Sequence, residues 1–436
     1  MHKKWKSSPI GIAGGALLVC AILSSACRPV RTEGPDVLLI ILDTVRPDHL
    51  GCYGYYRDTS PNMDSLAGSG TRFLNAQAQA PWTVPASASI FTGLSPRSHR
   101  AGFVVDRVCG LDPVLHTIPA LMFDAGYETF GEFSIAWFGR DFGFHNGFES
   151  FRCFADEERH AFQVADDFAC WIDTLPSDRR YFAMLHFYEA HAPYTPPAPF
   201  DTLFPYDSMP WPDDSVWLVS ESDSILHPDQ LECLTARYDG EIRYVDDAIG
   251  RVIDALKGAG RSDDVLIVIT SDHGEEFLEH GGYSHGRTLY QEVLWVPLIL
   301  SGPGVPGGVE PQQPVAAMDI LPTVLIRAGL PVPPEVEGID LLAEPVFDRY
   351  IPSNEPKGPP LFCIRRSDLK LIWNPDTGEA VMYDLGSDPG EQVPLPADST
   401  LLEDLADYLA LRPLGNASAV PEEDLDRSLQ GLGYIR

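Results

Sequence analysis

The chain has 436 residues, 44% of them hydrophobic, enough to bury a substantial core, so one large domain with a smaller appendage is expected and disorder is confined to the ends. Its 31 Lys and Arg against 63 Asp and Glu leave a formal net charge of −32. Such a balance repels phosphate backbones and speaks against nucleic acid as a partner, so any anionic substrate has to be drawn in by a local positive site.

Lys3, Lys4 and Lys6 precede the apolar run from Ile10 to Leu23, and Ser24, Ser25, Ala26 and Cys27 follow it. Basic, apolar and small residues in that order read residues 1–27 as an export signal. The apolar run is shorter than the roughly 20 residues that a bilayer span needs. The small residues suit lipoprotein processing, with a membrane tether through Cys27, or ordinary cleavage after Ala26; Ser24 stands three before Cys27 in place of a large aliphatic residue, and an uncleaved anchor is the remaining alternative. The expected location is the periplasm or cell envelope. Beyond this segment Cys52, Cys109, Cys153, Cys170, Cys233 and Cys363 form no Cys-x-x-Cys pair, and their spacing leaves disulfides and isolated thiols equally open.

The run Val37 to Leu42 is continuously apolar and ends abruptly at Asp43-Thr44; the run Val265 to Thr270 ends in the same way at Ser271-Asp272-His273-Gly274. Without alternation, both are predicted to be strands buried on two faces in a parallel sheet, where ligands sit at the carboxyl ends of strands. Between them, Leu231 to Leu256 carries Tyr238, Ile242, Val245, Ile249 and Ile253 at helical spacing, and this alternation of elements predicts an α/β sandwich. Pro193 to Asp229, rich in Pro, Asp and Ser, reads as an insertion or surface excursion. Met318 to Gly329 predicts one more helix and Pro331 to Glu335 a linker. Leu369 to Trp373 and Ala380 to Leu385 predict a small antiparallel sheet, closed by a helix near Leu401 to Leu411. The expected division is a main domain over 36–330 and a C-terminal α+β subdomain over 331–436.

Asp43, Asp272 and His273 are oxygen and nitrogen donors at two strand ends, which is metal-site composition. A lone Asp at a strand end is more often a helix cap. Glu275, His280 and His285 follow in the same loop, however, a density of carboxylate and imidazole unusual for a loop that only turns.

These residues fall into segments that resemble sulfatases of the alkaline phosphatase superfamily. Leu42 to Gly54 resembles the opening metal motif and Pro81 to Gly93 the nucleophile segment. Glu189-Ala190-His191-Ala192-Pro193-Tyr194 resembles the substrate-histidine segment. Ser271 to His285, running on to Tyr290 and Val296-Pro297-Leu298, is similar to the second metal motif, and Tyr383 to Glu391 to the signature near the C-terminus. The resemblance implies an alkaline-phosphatase-like α/β/α sandwich with a mostly parallel central sheet, plus the small C-terminal subdomain.

The departures from that family are specific. Sulfatases carry Cys or Ser followed by x-Pro-x-Arg and oxidise the first residue to formylglycine, whereas this chain reads Thr83-Val84-Pro85-Ala86-Ser87. Oxidised threonine would be a ketone, and Ser87 stands where Arg is expected; no formylglycine is therefore expected, and the Thr83 hydroxyl itself is the implied nucleophile. Thr44 replaces a second Asp, His273 an Asn, and His285 a Lys. Asp43, Thr83, Asp272 and His273 are the implied ligands of one divalent metal ion, Zn or Mn favoured over Ca because the set mixes oxygen and nitrogen. A similar pattern occurs in phosphoethanolamine transferases, lipoteichoic acid synthases and nucleotide pyrophosphatases. By the same resemblance His191 and His285 bind substrate and take part in catalysis, His280 binds substrate, and Arg46, His49 and Glu275 support the site without reacting. The function expected is a metal-dependent hydrolase of phosphate or sulfate esters outside the cytoplasm, acting on an anionic ester of a small molecule, glycan or lipid headgroup. The alternatives are a phosphoethanolamine-type transferase and a non-catalytic anion- or glycan-binding protein on the same fold.

Overall fold

The computed structural model describes residues 34–103, 108–154, 160–206, 228–355 and 360–411. Residues 1–27, read above as an export signal with Cys27, and residues 207–227 of the excursion lie outside the described residues.

A seven-stranded sheet organises the main domain. Its strands are β1 (Asp36–Leu42), β2 (Thr71–Arg72), β3 (Glu128–Phe133), β4 (Ser150–Cys153), β5 (Tyr181–Phe187), β6 (Val265–Ser271) and β7 (Leu298–Ser301), in the spatial order β2-β7-β6-β1-β5-β3-β4. β1, β3, β4, β5 and β6 run parallel, and β7 is antiparallel to both its neighbours. Every residue of β1, β5 and β6 is buried, as their unbroken apolar sequences require of strands covered on both faces.

Alternation divides each strand between two cores. Val37, Leu39 and Ile41 face one side, where helix α1 (Thr83–Thr92) packs Val84, Ala88, Ile90 and Phe91, and α4 (Ile320–Arg327) adds Leu321 and Val324. Leu38, Ile40 and Leu42 face the other, against Val164 and Phe168 of α2 (Ala161–Ile172) and Tyr238, Ile242, Val245 and Ile249 of α3 (Pro228–Gly258). Each such aliphatic or aromatic side chain contributes roughly 1.5–3 kcal/mol on burial. The result is the expected α/β/α sandwich with a mostly parallel sheet. α3 extends the helix expected over Leu231 to Leu256 by about a turn at its start.

The C-terminal part is an antiparallel sheet of β8 (Tyr350–Glu355), β9 (Leu361–Arg366), β10 (Leu369–Trp373) and β11 (Ala380–Asp384), closed by α5 (Ser399–Leu411). Leu401 and Leu405 of α5 pack on Ile364, Leu371 and Met382. The opposite face is not independent: Cys363, Ile372, Tyr383 and Leu385 belong to the core of the main domain. Among the described residues all six cysteines are free thiols, and no helix is long and apolar enough to cross a membrane.

Candidate active site

Strand register assembles the centre of the site. The face that carries Val37, Leu39 and Ile41 continues to Asp43; on β6 the series Leu266, Val268 leads to Asp272; on β5 the series Phe182, Met184 leads to His186. Leu42 pairs with Ser271 on one side and with Phe187 on the other. Asp43 N then donates to Phe187 O at 2.9 Å, and Asp272 N to Leu42 O at 3.2 Å, so both aspartates leave the sheet side by side. At the turn Thr44 adopts φ 59°, a left-handed conformation that a β-branched residue takes only under constraint. The constraint is visible: its Oγ1 donates to Ala190 O at 2.6 Å and its carbonyl accepts from Tyr238 OH at 2.8 Å.

Helix α1 lies over this face, with Trp82 as its N-cap and Thr83 as its first residue. All ten residues of the helix are buried, Ser87 included. The N–H groups and dipole of a helix N-terminus favour negative charge at this end, whether on a substrate or on the Thr83 oxygen. Thr83 Oγ1 stands 3.5 Å from His273 Nε2.

Asp43, Asp272 and His273 offer ligand atoms within 4.8 Å of one another, and all three are fully buried. His273 Nε2 lies 3.7 Å from Asp43 Oδ1 and 3.5 Å from Asp272 Oδ2. Its Nδ1 is 2.9 Å from Gly274 O, and a carbonyl only accepts; Nδ1 therefore carries the proton, and the Nε2 of a neutral ring presents a lone pair to the carboxylates. Both oxygens of Asp43 and Oδ2 of Asp272 have no hydrogen-bond partner. Burial with nearby like charge pushes the Asp272 carboxyl up to about 7 and raises that of Asp43, while Asp272 and Asp43 raise His273 against the opposing effect of its own burial. Buried, unpaired carboxylate oxygens facing an imidazole lone pair fit a divalent cation, which would supply a partner to a carboxylate oxygen of Asp43 and to Oδ2 of Asp272.

Two further imidazoles border the cluster. The rings of His273 and His285 are 4.4 Å apart and those of His285 and His191 4.9 Å apart. His285 Nδ1 donates to Glu275 Oε1 at 2.8 Å, and Tyr194 OH donates to Glu275 Oε2 at 2.9 Å. His191 Nδ1 is 2.6 Å from Ala192 O and 2.8 Å from Tyr188 OH. Chemistry at either ring thus falls to Nε2. Burial holds His191 down to about 4, neutral at physiological pH, and pushes Glu275 up to about 7.

The structure brings Asp43, Thr83, Asp272, His273, His191 and His285 together, and it turns His280 elsewhere. His280 Nδ1 faces Glu292 Oε1 at 2.6 Å and its Nε2 faces Glu391 O at 3.1 Å. Its ring stacks on Tyr290 at 3.6 Å; Nδ1 is thus held within the main domain and Nε2 at the junction with the C-terminal part. Arg46 and His49 are likewise engaged, Arg46 with Asp48, Glu279 and Glu275 O, and His49 with Asp239. The sequence reading missed His186, and it named Glu275 without its function of holding His285. A polar residue inside the apolar run Tyr181–Phe187 was the available signal for the first.

A family model described as Sulfatase matches residues 35–330. The chain belongs to the sulfatase family. This sulfatase is 26% identical to an arylsulfatase of Clostridium perfringens (strain 13 / Type A), over 86% of this chain and 92% of the relative. It is 24% identical to an N-acetylglucosamine-6-O-sulfatase of Bacteroides thetaiotaomicron, over 86% of this chain and 85% of the relative. Its fold matches the solved phosphonate monoester hydrolase of Agrobacterium radiobacter with a TM-score of 0.70 at 22% identity, covering 91% of this chain and 96% of that one. Membership makes the protein a hydrolase of sulfuric or phosphoric ester bonds.

Membership also corrects one expectation. Relatives such as the arylsulfatase and the N-acetylglucosamine-6-O-sulfatase normally work with formylglycine and a divalent metal, so the expectation that no formylglycine is involved does not stand. It was read from the side chain of Thr83 and from Ser87 in place of the expected Arg. The surroundings of that position in this chain are a helix N-terminus above paired aspartates.

Proposed function

We propose that this sulfatase cleaves an anionic sulfate or phosphate ester with the Thr83 oxygen as nucleophile, next to one divalent ion held by Asp43, Thr83, Asp272 and His273. The observation that carries the reading is the convergence of three fully buried ligand groups, with unpartnered carboxylate oxygens, on a hydroxyl at a helix N-terminus. A bound divalent ion lowers the pKa of an adjacent hydroxyl and neutralises charge on an ester oxygen. The chain's own residues do the rest. The N-terminus of α1 favours negative charge at the reacting centre. His191, held neutral by burial and with its Nδ1–H donated to Ala192 O, presents an unprotonated Nε2, a proton acceptor beside the His285 ring. His285, oriented by Glu275, passes a proton to the departing oxygen, a task suited to imidazole near neutral pH.

The ester is carried by a small molecule, a glycan or a lipid headgroup. Residues 1–27 direct the enzyme out of the cytoplasm, with Cys27 as a membrane tether; metabolic labelling with a radioactive fatty acid, lost in a Cys27→Ala variant, is the result expected of a tether.

Matched aryl sulfate, phosphate monoester, phosphate diester and phosphonate monoester substrates, assayed with wild type and Thr83→Ala, test the central reading. Turnover of any of them by wild type and not by the variant supports it; equal turnover by both removes Thr83 from the chemistry. An absolute requirement for an acceptor molecule would favour a transferase instead.

A further inference from the structure

We propose that His186 is a positioning residue of the ion site: its ring N–H holds Oδ2 of Asp43, so that Oδ1 is the oxygen presented to a divalent cation. The inference rests on the reading of Asp43, Asp272 and His273 as an ion site, and it concerns a residue outside that set.

His186 is the sixth residue of β5, paired in register with Ile41 of β1 and fully buried. Alternation puts its side chain on the face of Phe182 and Met184, the same face from which Asp43 emerges one step beyond Leu42. Its Nε2 stands 3.4 Å from Asp43 Oδ2, while Asp43 Oδ1 is the oxygen that faces His273, at 3.7 Å. The two oxygens of Asp43 are thus divided between two imidazoles.

A histidine in a strand interior is ordinarily satisfied by a carbonyl or another side chain, but neither nitrogen of His186 has a hydrogen-bond partner. Whatever its charge, an imidazole carries at least one N–H, and an unsatisfied buried donor is costly. The rings of Phe138 and Phe133 pack on it, with centroids 4.6 and 6.4 Å away, and limit its rotation. Ser134 Oγ donates to its carbonyl at 2.9 Å and fixes the backbone. A leucine or phenylalanine would fill this apolar space without burying an unpaired donor. The acceptor beside Nε2 is Asp43 Oδ2, and at 3.4 Å the contact is longer than an ordinary hydrogen bond by a distance that a small adjustment of either side chain removes. An N–H held on one carboxylate oxygen would leave the other to face an ion, the usual task of residues that orient metal ligands.

The test is the affinity of purified signal-free protein for Zn2+, Mn2+ and Ca2+ in turn, by competition with a chromogenic chelator, in wild type, His186→Phe and His186→Gln. For the ion that wild type binds best, His186→Phe is expected to weaken binding about 10- to 100-fold. His186→Gln, which restores an N–H near the position of Nε2, is expected to recover most of it. Thermal melting in excess chelator separates this from a purely structural role: metal-free His186→Phe should melt at or above the wild-type temperature. Binding by His186→Phe as tight as wild type, or a loss matched by a lower metal-free melting temperature, overturns the proposal; His186→Leu serves in its place should the Phe variant not fold. A wild type that binds none of the three ions overturns the ion-site reading itself, a result distinct from failure of the His186 inference alone.

Discussion

Nδ1 of His285 and Oε1 of Glu275, ten positions apart in sequence, are joined by a 2.8 Å hydrogen bond, and Tyr194 closes the other side of the carboxylate. The arrangement resembles a catalytic imidazole oriented by a buried acid, and it makes the rate sensitive to both members. His285→Asn is expected to lower kcat by about 10²- to 10⁴-fold for esters with poor leaving groups, and much less for activated aryl esters, whose departing oxygen needs no proton. Glu275→Gln should show the same leaving-group dependence with a smaller loss. A series of aryl esters of graded leaving-group pKa measures it; a uniform loss across the series would assign His285 to substrate binding instead.

Removal of the Thr83 hydroxyl should affect chemistry and not folding. Thr83 is small and sits at the first position of α1, with its hydroxyl 3.5 Å from His273 Nε2. Thr83→Ala is expected to lower kcat by on the order of 10³-fold or more while leaving the melting temperature close to wild type. Thr83→Ser, which keeps an oxygen in place, should retain measurable turnover. Quenched-flow trapping with a slow substrate, followed by peptide mass spectrometry, should place the ester intermediate on residue 83.

Ion uptake should strengthen as pH rises. The Asp272 carboxyl, pushed up to about 7 by burial and by Asp43, binds a proton in the metal-free folded protein that the unfolded chain has shed. A raised acid pKa stabilises the folded state fully below the unfolded value, near 4, and that stability is lost as pH rises through about 7. Ligation requires the carboxylate, so the ion competes with this proton. The gain in melting temperature on adding the ion should be small at about pH 5 and large at about pH 8, with metal-free protein less stable at the higher pH. A gain independent of pH would remove Asp272 from the ligand set.

The segment from Tyr383 to Glu391 is anchored by a buried ion pair. Lys370 Nζ lies 2.8 Å from Glu391 Oε1 with both side chains fully buried, and Gln291 N donates to Glu391 Oε2 at 2.6 Å. The pair therefore pins β10 and the signature loop to the segment that follows His285. Lys370→Met leaves the Glu391 charge buried without its partner and is expected to destabilise the protein by about 3–5 kcal/mol. The double variant Lys370→Met/Glu391→Leu should recover much of that in denaturant melts.

Much of the architecture was legible because it follows from local pattern. Unbroken apolar runs ending at Asp43 and at Asp272 mark buried parallel strands, and the periodicity around Tyr238, Ile242 and Val245 marks the long helix over them. His280 shows where local reading stops. Its neighbours in sequence suggested substrate, but Glu292 and Glu391, 12 and 111 residues away, hold its two nitrogens. Thr44 shows the same limit, since its left-handed backbone answers to Tyr238 and Ala190, both remote in the chain.

The sequence by itself determined the sandwich, the order of the motifs and the inventory of donors, since each depends on residue type and on periodicity along one segment. Only the tertiary structure decided which donors meet. A one-residue shift in the pairing of Leu42 with Ser271 and Phe187 would separate Asp43 from Asp272 and His186, and register is set by packing on both faces of the sheet, not by the strands' own residues. The tautomers of His273 and His285 were decided in the same way, by a carbonyl and a carboxylate that folding brings against one nitrogen of each ring.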